Sequence, residues 1–261
     1  MSERSSSNEH ARRPVAMVTG GAKRVGRAIA IELASRGFDL VVTYRSSESE
    51  AASLAALVAE SLAPASGELH RLDLGDLEAV RAFARGYAAS GAGLDVLVHN
   101  ASLYFPTKLD ELDAERAELL HRVNAIAPLL LTAGLAPLLR SSAMPGGGCV
   151  VAMSDIHALG RPRKDFSAYS MSKAALSEMV RSLARDLSPR VRVVGVAPGV
   201  VQWPEDGYEA EADAQEAYLR RVPLGRAGTP EDAAKTVGWL ATEATYITGQ
   251  IIKLDGGRSI A

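Results

Sequence analysis

The chain has 261 residues, 47% hydrophobic and 23% charged, with a formal net charge of −2. That balance suits a chain with enough apolar material for a core, and it offers no bulk attraction to nucleic acid or an anionic membrane. The single cysteine, Cys149, excludes an intrachain disulfide and a multi-cysteine metal site, and no metal ligand set is predicted. Residues 1–13, MSERSSSNEHARR, are polar and read as a mobile tail without the apolar stretch of a signal peptide, so a reducing cytoplasm is the expected setting. From residue 15 onward, short apolar runs alternate with longer helical patterns. The runs are 15–19, 40–44, 69–72, 96–99, 149–153, 191–196 and 251–254, mostly short and β-branched, as in strands covered on both faces. Cys149 falls on the fifth, after a Gly-rich loop over 141–148. A polar insertion, 203–229, follows the sixth and reads as a flap over a ligand or as a surface helix pair. No apolar run reaches the roughly 18 residues of a membrane span. The pattern predicts one domain over 14–261, a Rossmann-type, doubly wound α/β fold with a seven-stranded parallel sheet and helices on both faces.

The stretch VTGGAKRVG, residues 18–26, joins the first strand to a helix predicted over 27–36. Gly20, Gly21 and Gly26 allow a tight turn close to a pyrophosphate, and the helix start offers free N–H groups. Lys23, Arg24 and Val25 complete the turn, with Arg24 where such turns usually carry glycine. The second strand ends in Tyr44, Arg45 and Ser46 rather than in the acid that binds a ribose 2′-hydroxyl. Asp39 precedes that apolar run and falls at its wrong end. Cations without the acid favour a 2′-phosphate, hence NADPH; the alternative is that these arginines are solvated surface residues. Further on, Tyr169 and Lys173 stand four apart on a predicted helix, on one face. An ammonium beside a phenol would lower the tyrosine pKa and ready it to give a proton.

With TGGAKRVG, LDL at 72–74, HNAS at 99–102, Asn124 in RVNAIAP, YSMSK, APG at 197–199 and YITGQIIKLDGG, the chain resembles the short-chain dehydrogenase/reductase family over nearly its whole length. The resemblance implies an NADP(H)-binding reductase domain. In it Asp73, beside Leu74, meets the adenine, and Asn100 and Ala101 line the cofactor, with Pro198 and Gly199 also at the cofactor. Asn124 holds a water chain behind Lys173, and Lys173 also binds the nicotinamide ribose. It also implies a homotetramer. Taken singly, Asn124 could be a helix kink and Asp73 a helix cap.

Where most of that family carries a serine before the tyrosine, this chain has Ile156 and His157, with Asp155 just ahead. In this it resembles the pteridine reductases. The resemblance extends to Arg24, whose counterpart touches both cofactor phosphate and pterin. It also covers NASLYFPT, in which Tyr104 would stack on the pterin and Ser102 hydrogen-bond it, and the loop carrying Trp203 as a pocket wall. The expected catalytic set is Asp155, Tyr169, Lys173 and Asn124, reducing a dihydropterin to a tetrahydropterin, with oxidised pterin or dihydrofolate as further candidate substrates. Two alternatives stand beside it: a 3-oxoacyl-thioester or other carbonyl reductase using Ser154 and Tyr169, and a non-catalytic nucleotide-sensing protein. Tyr104 could instead be a core aromatic and Asp155 a strand-end cap, while His99 and His157 read as structural.

Overall fold

The computed structural model describes residues 12–205 and 208–261. All seven strands lie in one parallel sheet: β1 (Val15–Thr19), β2 (Asp39–Tyr44), β3 (Gly67–Arg71), β4 (Val96–His99), β5 (Gly148–Met153), β6 (Val191–Pro198) and β7 (Ile251–Leu254). Their order is β3-β2-β1-β4-β5-β6-β7. The chain changes direction across the sheet between β1 and β4, and the loops leaving those two strands therefore diverge and open a crevice at their carboxyl ends.

Among the described residues there are eight α-helices, α1 (Arg24–Ser35), α2 (Glu48–Ser61), α3 (Leu77–Ala89), α4 (Ala114–His121), α5 (Ala127–Arg140), α6 (Ser167–Asp186), α7 (Ala212–Leu219) and α8 (Pro230–Thr242), of which α1, α2, α3, α5, α6 and α8 pack on the two faces. On one face Ile29 and Leu33 of α1 and Val237 and Leu240 of α8 meet Val18, Val42 and Val151. On the other, Val80 of α3, Leu131 and Leu135 of α5 and Leu176 of α6 meet Met17, Leu97 and Val150. Each such fully buried side chain contributes about 1.5–3 kcal/mol. Buried Arg192 on β6 donates to the carbonyls of Leu240, Ala241 and Ala244, placing its cation where the carboxyl end of α8 carries partial negative charge.

Several boundaries move. The third strand ends at Arg71, so Leu72 begins the following loop. The first helix begins at Arg24, not at residue 27, because Gly26 lets its first turn press against the glycine turn. Residues 1–11 of the expected tail lie outside the described residues, as do 206–207 of the expected flap. Arg12 and Arg13 are held: Arg12 forks onto Asp95 at 2.6 and 3.2 Å, because a 2%-exposed carboxylate requires a partner. Continuous helix over Ala114–Arg140 is long and apolar enough, by length and composition, to cross a membrane; the sequence runs did not reveal this. Leu120, Leu131, Leu135 and Leu139 within it are fully buried in the fold.

Candidate active site

At the carboxyl ends of β1, β2 and β4 the loops enclose a cleft of about 350 Å³. Its floor is backbone. Gly20 adopts φ 61°, and a Cβ on Gly26 would lie 2.2 Å from the Gly20 carbonyl oxygen, a distance that no side chain tolerates. Asn100 clamps the turn from β4, its Nδ2 donating to the carbonyls of Thr19 and Gly20 at 3.0 and 3.1 Å. Lys23, Arg24 and Val25 form one rim, and Tyr44, Arg45 and Ser46 the other. Asp73, Leu74, Ala101 and Ser102 close the far end; Asp73 accepts from the Gly75 N–H at 2.8 Å, a local turn that orients its carboxylate. Asp39 begins β2 and bonds Arg13 and the Ser66 N–H, at the opposite end of the strand from the cleft, as expected.

Arg24 is a non-glycine residue at φ 54°, so its position does favour glycine, and its backbone carries about 1–2 kcal/mol of left-handed strain. The cost of a non-glycine residue at this position therefore lies in the backbone. The guanidinium bonds Glu205 at 2.9 Å and the Trp203 carbonyl at 3.0 Å. It borders both the large cleft and a second cavity of about 250 Å³.

That second cavity is lined by side chains. Asp155 follows β5 in extended conformation and caps a 3-10 turn, Ile156–Ala158, by accepting from the His157 N–H at 2.7 Å. Its other oxygen accepts the Tyr169 hydroxyl, also at 2.7 Å. Asp155 is thus both a cap and a partner of the tyrosine. Tyr104 lies over the same space, stacked on Phe166 at 4.8 Å and edge-on to Tyr169 at 4.8 Å; at 41% exposed it is no core aromatic. Burial and the adjacent Asp155 carboxylate hold the Tyr169 phenol well above its ordinary pKa. This corrects the expectation of a lowered value: the charge that faces the phenol is an anion, while the Lys173 ammonium donates to the Met153 carbonyl at 2.7 Å. Burial pushes Lys173 itself down to about 8, partly offset by Asp155.

Other expected residues fall in different places. Asn124 sits in a π-helical turn, Arg122–Ile126, and its amide bonds the N–H and carbonyl of Leu103 and the hydroxyls of Ser102 and Ser172. It ties the segment after β4 to α6. Pro198 and Gly199 line the second cavity rather than the cleft, and Ser102 lines the cleft rather than the second cavity. Trp203 is not a wall of the second cavity: it borders an adjoining one, turned there by edge contact with Tyr218 at 5.5 Å. The hydroxyl of Ser154 is engaged by Ser177 at 2.6 Å. His99 bonds Thr132 at 2.7 Å, and complete burial lowers its pKa to about 3, a neutral structural role. Burial likewise raises the Cys149 thiol to about 11.

Sequence reading missed Arg163, Glu209 and Tyr218, which also line the second cavity. Glu209 pairs with Arg163 and accepts the Tyr104 hydroxyl at 2.8 Å, so the insertion after β6 reaches back over the aromatic wall. Arg163 lies over the ring of Phe166 at 4.3 Å. Only the polar composition of the insertion hinted at this contact.

Comparison with known proteins agrees with this geometry. Residues 20–259 match the family described as enoyl-(acyl carrier protein) reductase. Over 95% of its length the chain is 34% identical to pteridine reductase 1 of Leishmania tarentolae, covering 96% of that protein. It is 33% identical to human dehydrogenase/reductase SDR family member 4, covering 93% of this chain and 86% of that protein. A short-chain dehydrogenase/reductase mutant from Serratia marcescens superposes with a TM-score of 0.84 at 31% identity, covering 94% of this chain and 98% of that one. The chain belongs to the short-chain dehydrogenase/reductase family and is an oxidoreductase of the NAD(P)-using kind.

Proposed function

We propose that the protein is an NADPH-dependent reductase of pterins. The observation that carries this reading is the Asp155 carboxylate held against the Tyr169 hydroxyl at 2.7 Å in a cavity walled by Tyr104. An amino-pyrimidine edge presents N–H donors, which a carboxylate accepts, and a flat heterocycle gains from an aromatic neighbour. The cleft fits a dinucleotide: with no Cβ at Gly26 the helix start packs directly on the Gly20 carbonyl, and residues 23–26 of that helix start line the cleft, where free N–H groups suit a pyrophosphate. Arg24, Arg45 and Ser46 around it, without an acid at the end of β2, favour a 2′-phosphate.

A reduced nicotinamide, when bound, supplies hydride. Saturating a C=N bond takes that hydride at carbon and a proton at nitrogen, and the proton is the chain's part. Tyr169 holds one at its hydroxyl, kept there by burial and Asp155. Lys173, buried behind, offsets the negative charge left when the proton departs. Asn124 positions the segment carrying Ser102 and Leu103. Ile126, Leu129 and Met171 are exposed apolar residues on or beside α5 and α6, which supports the homotetramer that the resemblance implies.

The test is oxidation of NADPH and of NADH by the purified protein with dihydrobiopterin, dihydrofolate and an acetoacetyl thioester in parallel. The reading expects turnover of a pterin with NADPH and none of the thioester. Turnover of the thioester alone rejects it in favour of a carbonyl reductase, and binding of nucleotide without turnover of any substrate rejects it in favour of a sensor.

A further inference from the structure

Beyond the reaction cavity, and sharing His157, Arg163, Glu209 and Tyr218 with it, lies a third cavity of about 230 Å³. Its walls are cationic: Arg163, Arg221 and Arg258 all border it. Arg258 is 6% exposed, and its Nε and Nη1 are buried without a hydrogen-bond partner among the described residues. The guanidinium rests 5.2 Å over the Tyr218 ring, which orients it but accepts no N–H bond from it.

The acids that could answer this charge are already engaged. Asp255 accepts from the N–H groups of Gly257 and Ser259. Glu209 is held by Arg163 and Tyr104, and Asp155 by His157 and Tyr169. Arg161, which donates to the Arg258 carbonyl, and Arg221 add like charge, and burial together with these cations lowers the Arg258 pKa. A buried guanidinium with free donors carries a desolvation cost that a bound anion relieves.

We infer that the third cavity is an oxyanion subsite that receives the carboxylate or phosphate tail of a substrate whose ring lies in the adjoining cavity. The two cavities differ in charge: in the second, Asp155 and Glu209 stand against Arg24 and Arg163, whereas in the third Glu209 faces Arg163, Arg221 and Arg258. Asp155 offers acceptors to the donor edge of a ring, while Arg221 and Arg258 offer donors to an anionic tail, which a planar guanidinium grips bidentately. The substrate class is therefore an amino-substituted heterocycle with an anionic tail. The ring assignment rests on the proposed function; the oxyanion subsite does not.

The experiment uses enzyme saturated with NADP⁺, so that the dinucleotide cleft is filled. Inorganic phosphate and glutarate are titrated calorimetrically into wild type, Arg221→Met, Arg258→Met and Arg258→Lys. Binding of one or both probes is expected, weakened ~10- to 100-fold in the methionine variants and less in Arg258→Lys. The preferred probe distinguishes a phosphate tail from a carboxylate tail. Exposed Arg221 keeps the test usable should Arg258→Met not fold. No binding of either probe, or binding equal in all four proteins, overturns the subsite. A parallel KM measurement with dihydrobiopterin and dihydrofolate separates the two readings. Probe binding lost in the variants without pterin turnover leaves the subsite standing and rejects the pterin assignment. Pterin turnover with neither probe bound does the reverse.

Discussion

The dinucleotide cleft and the reaction cavity meet at Arg24 and Val25 but are made differently. The cleft is chiefly backbone: a glycine turn, a helix start and an amide clamp, drawn from strands adjacent in the sheet. The reaction cavity is chiefly side chains from five distant segments, those around Arg24, Tyr104, Asp155, Tyr169 and Glu209. A backbone site depends on close approach and fails when atoms are added. A side-chain site depends on particular functional groups and fails when they are removed.

Substitutions in the reaction cavity should therefore reduce kcat with little change in nucleotide affinity. Tyr169→Phe removes the hydroxyl that holds the proton and should lower kcat ~10²- to 10⁴-fold, with NADPH binding measured by fluorescence unchanged. Asp155→Ala should lower pterin turnover by about 10²-fold; equal rates for variant and wild type remove Asp155 from the mechanism. Gly26→Ala tests the other side of the comparison. Its new methyl would strike the Gly20 carbonyl, costing about 1–3 kcal/mol, and NADPH affinity should fall about tenfold or more while the fold persists in circular dichroism.

Lys173 gives a prediction in which two readouts move oppositely. Its native pKa is about 8, lowered from 10.5, so kcat should fall as pH rises through about 8 and the ammonium is lost. Between those two values the unfolded chain binds more protons than the native one, so Lys173 makes stability rise with pH over that window. Lys173→Met should flatten both dependences, measured by steady-state rates and by urea unfolding. The smallest effect is expected for Arg24→Gly. Relief of the positive φ, less the entropy that glycine loses, should stabilise the fold by about 0.5–1 kcal/mol, while KM for NADPH rises because the cation is gone.

The amino-acid order alone determined the parallel α/β architecture, the glycine turn, the position of Asp39 away from the cleft, and the helical pairing of Tyr169 with Lys173. These follow from local rules: β-branched runs make buried strands, glycine marks close approach, and a spacing of four shares a helix face. Tertiary structure alone decided that Tyr169 faces Asp155, with a raised rather than lowered pKa. It also decided that Trp203 belongs to the third cavity and that Glu209 and Arg163 close over Tyr104. Each of those outcomes depends on which charges meet across the fold and how far water is excluded between them, and neither quantity is carried by spacing along the chain.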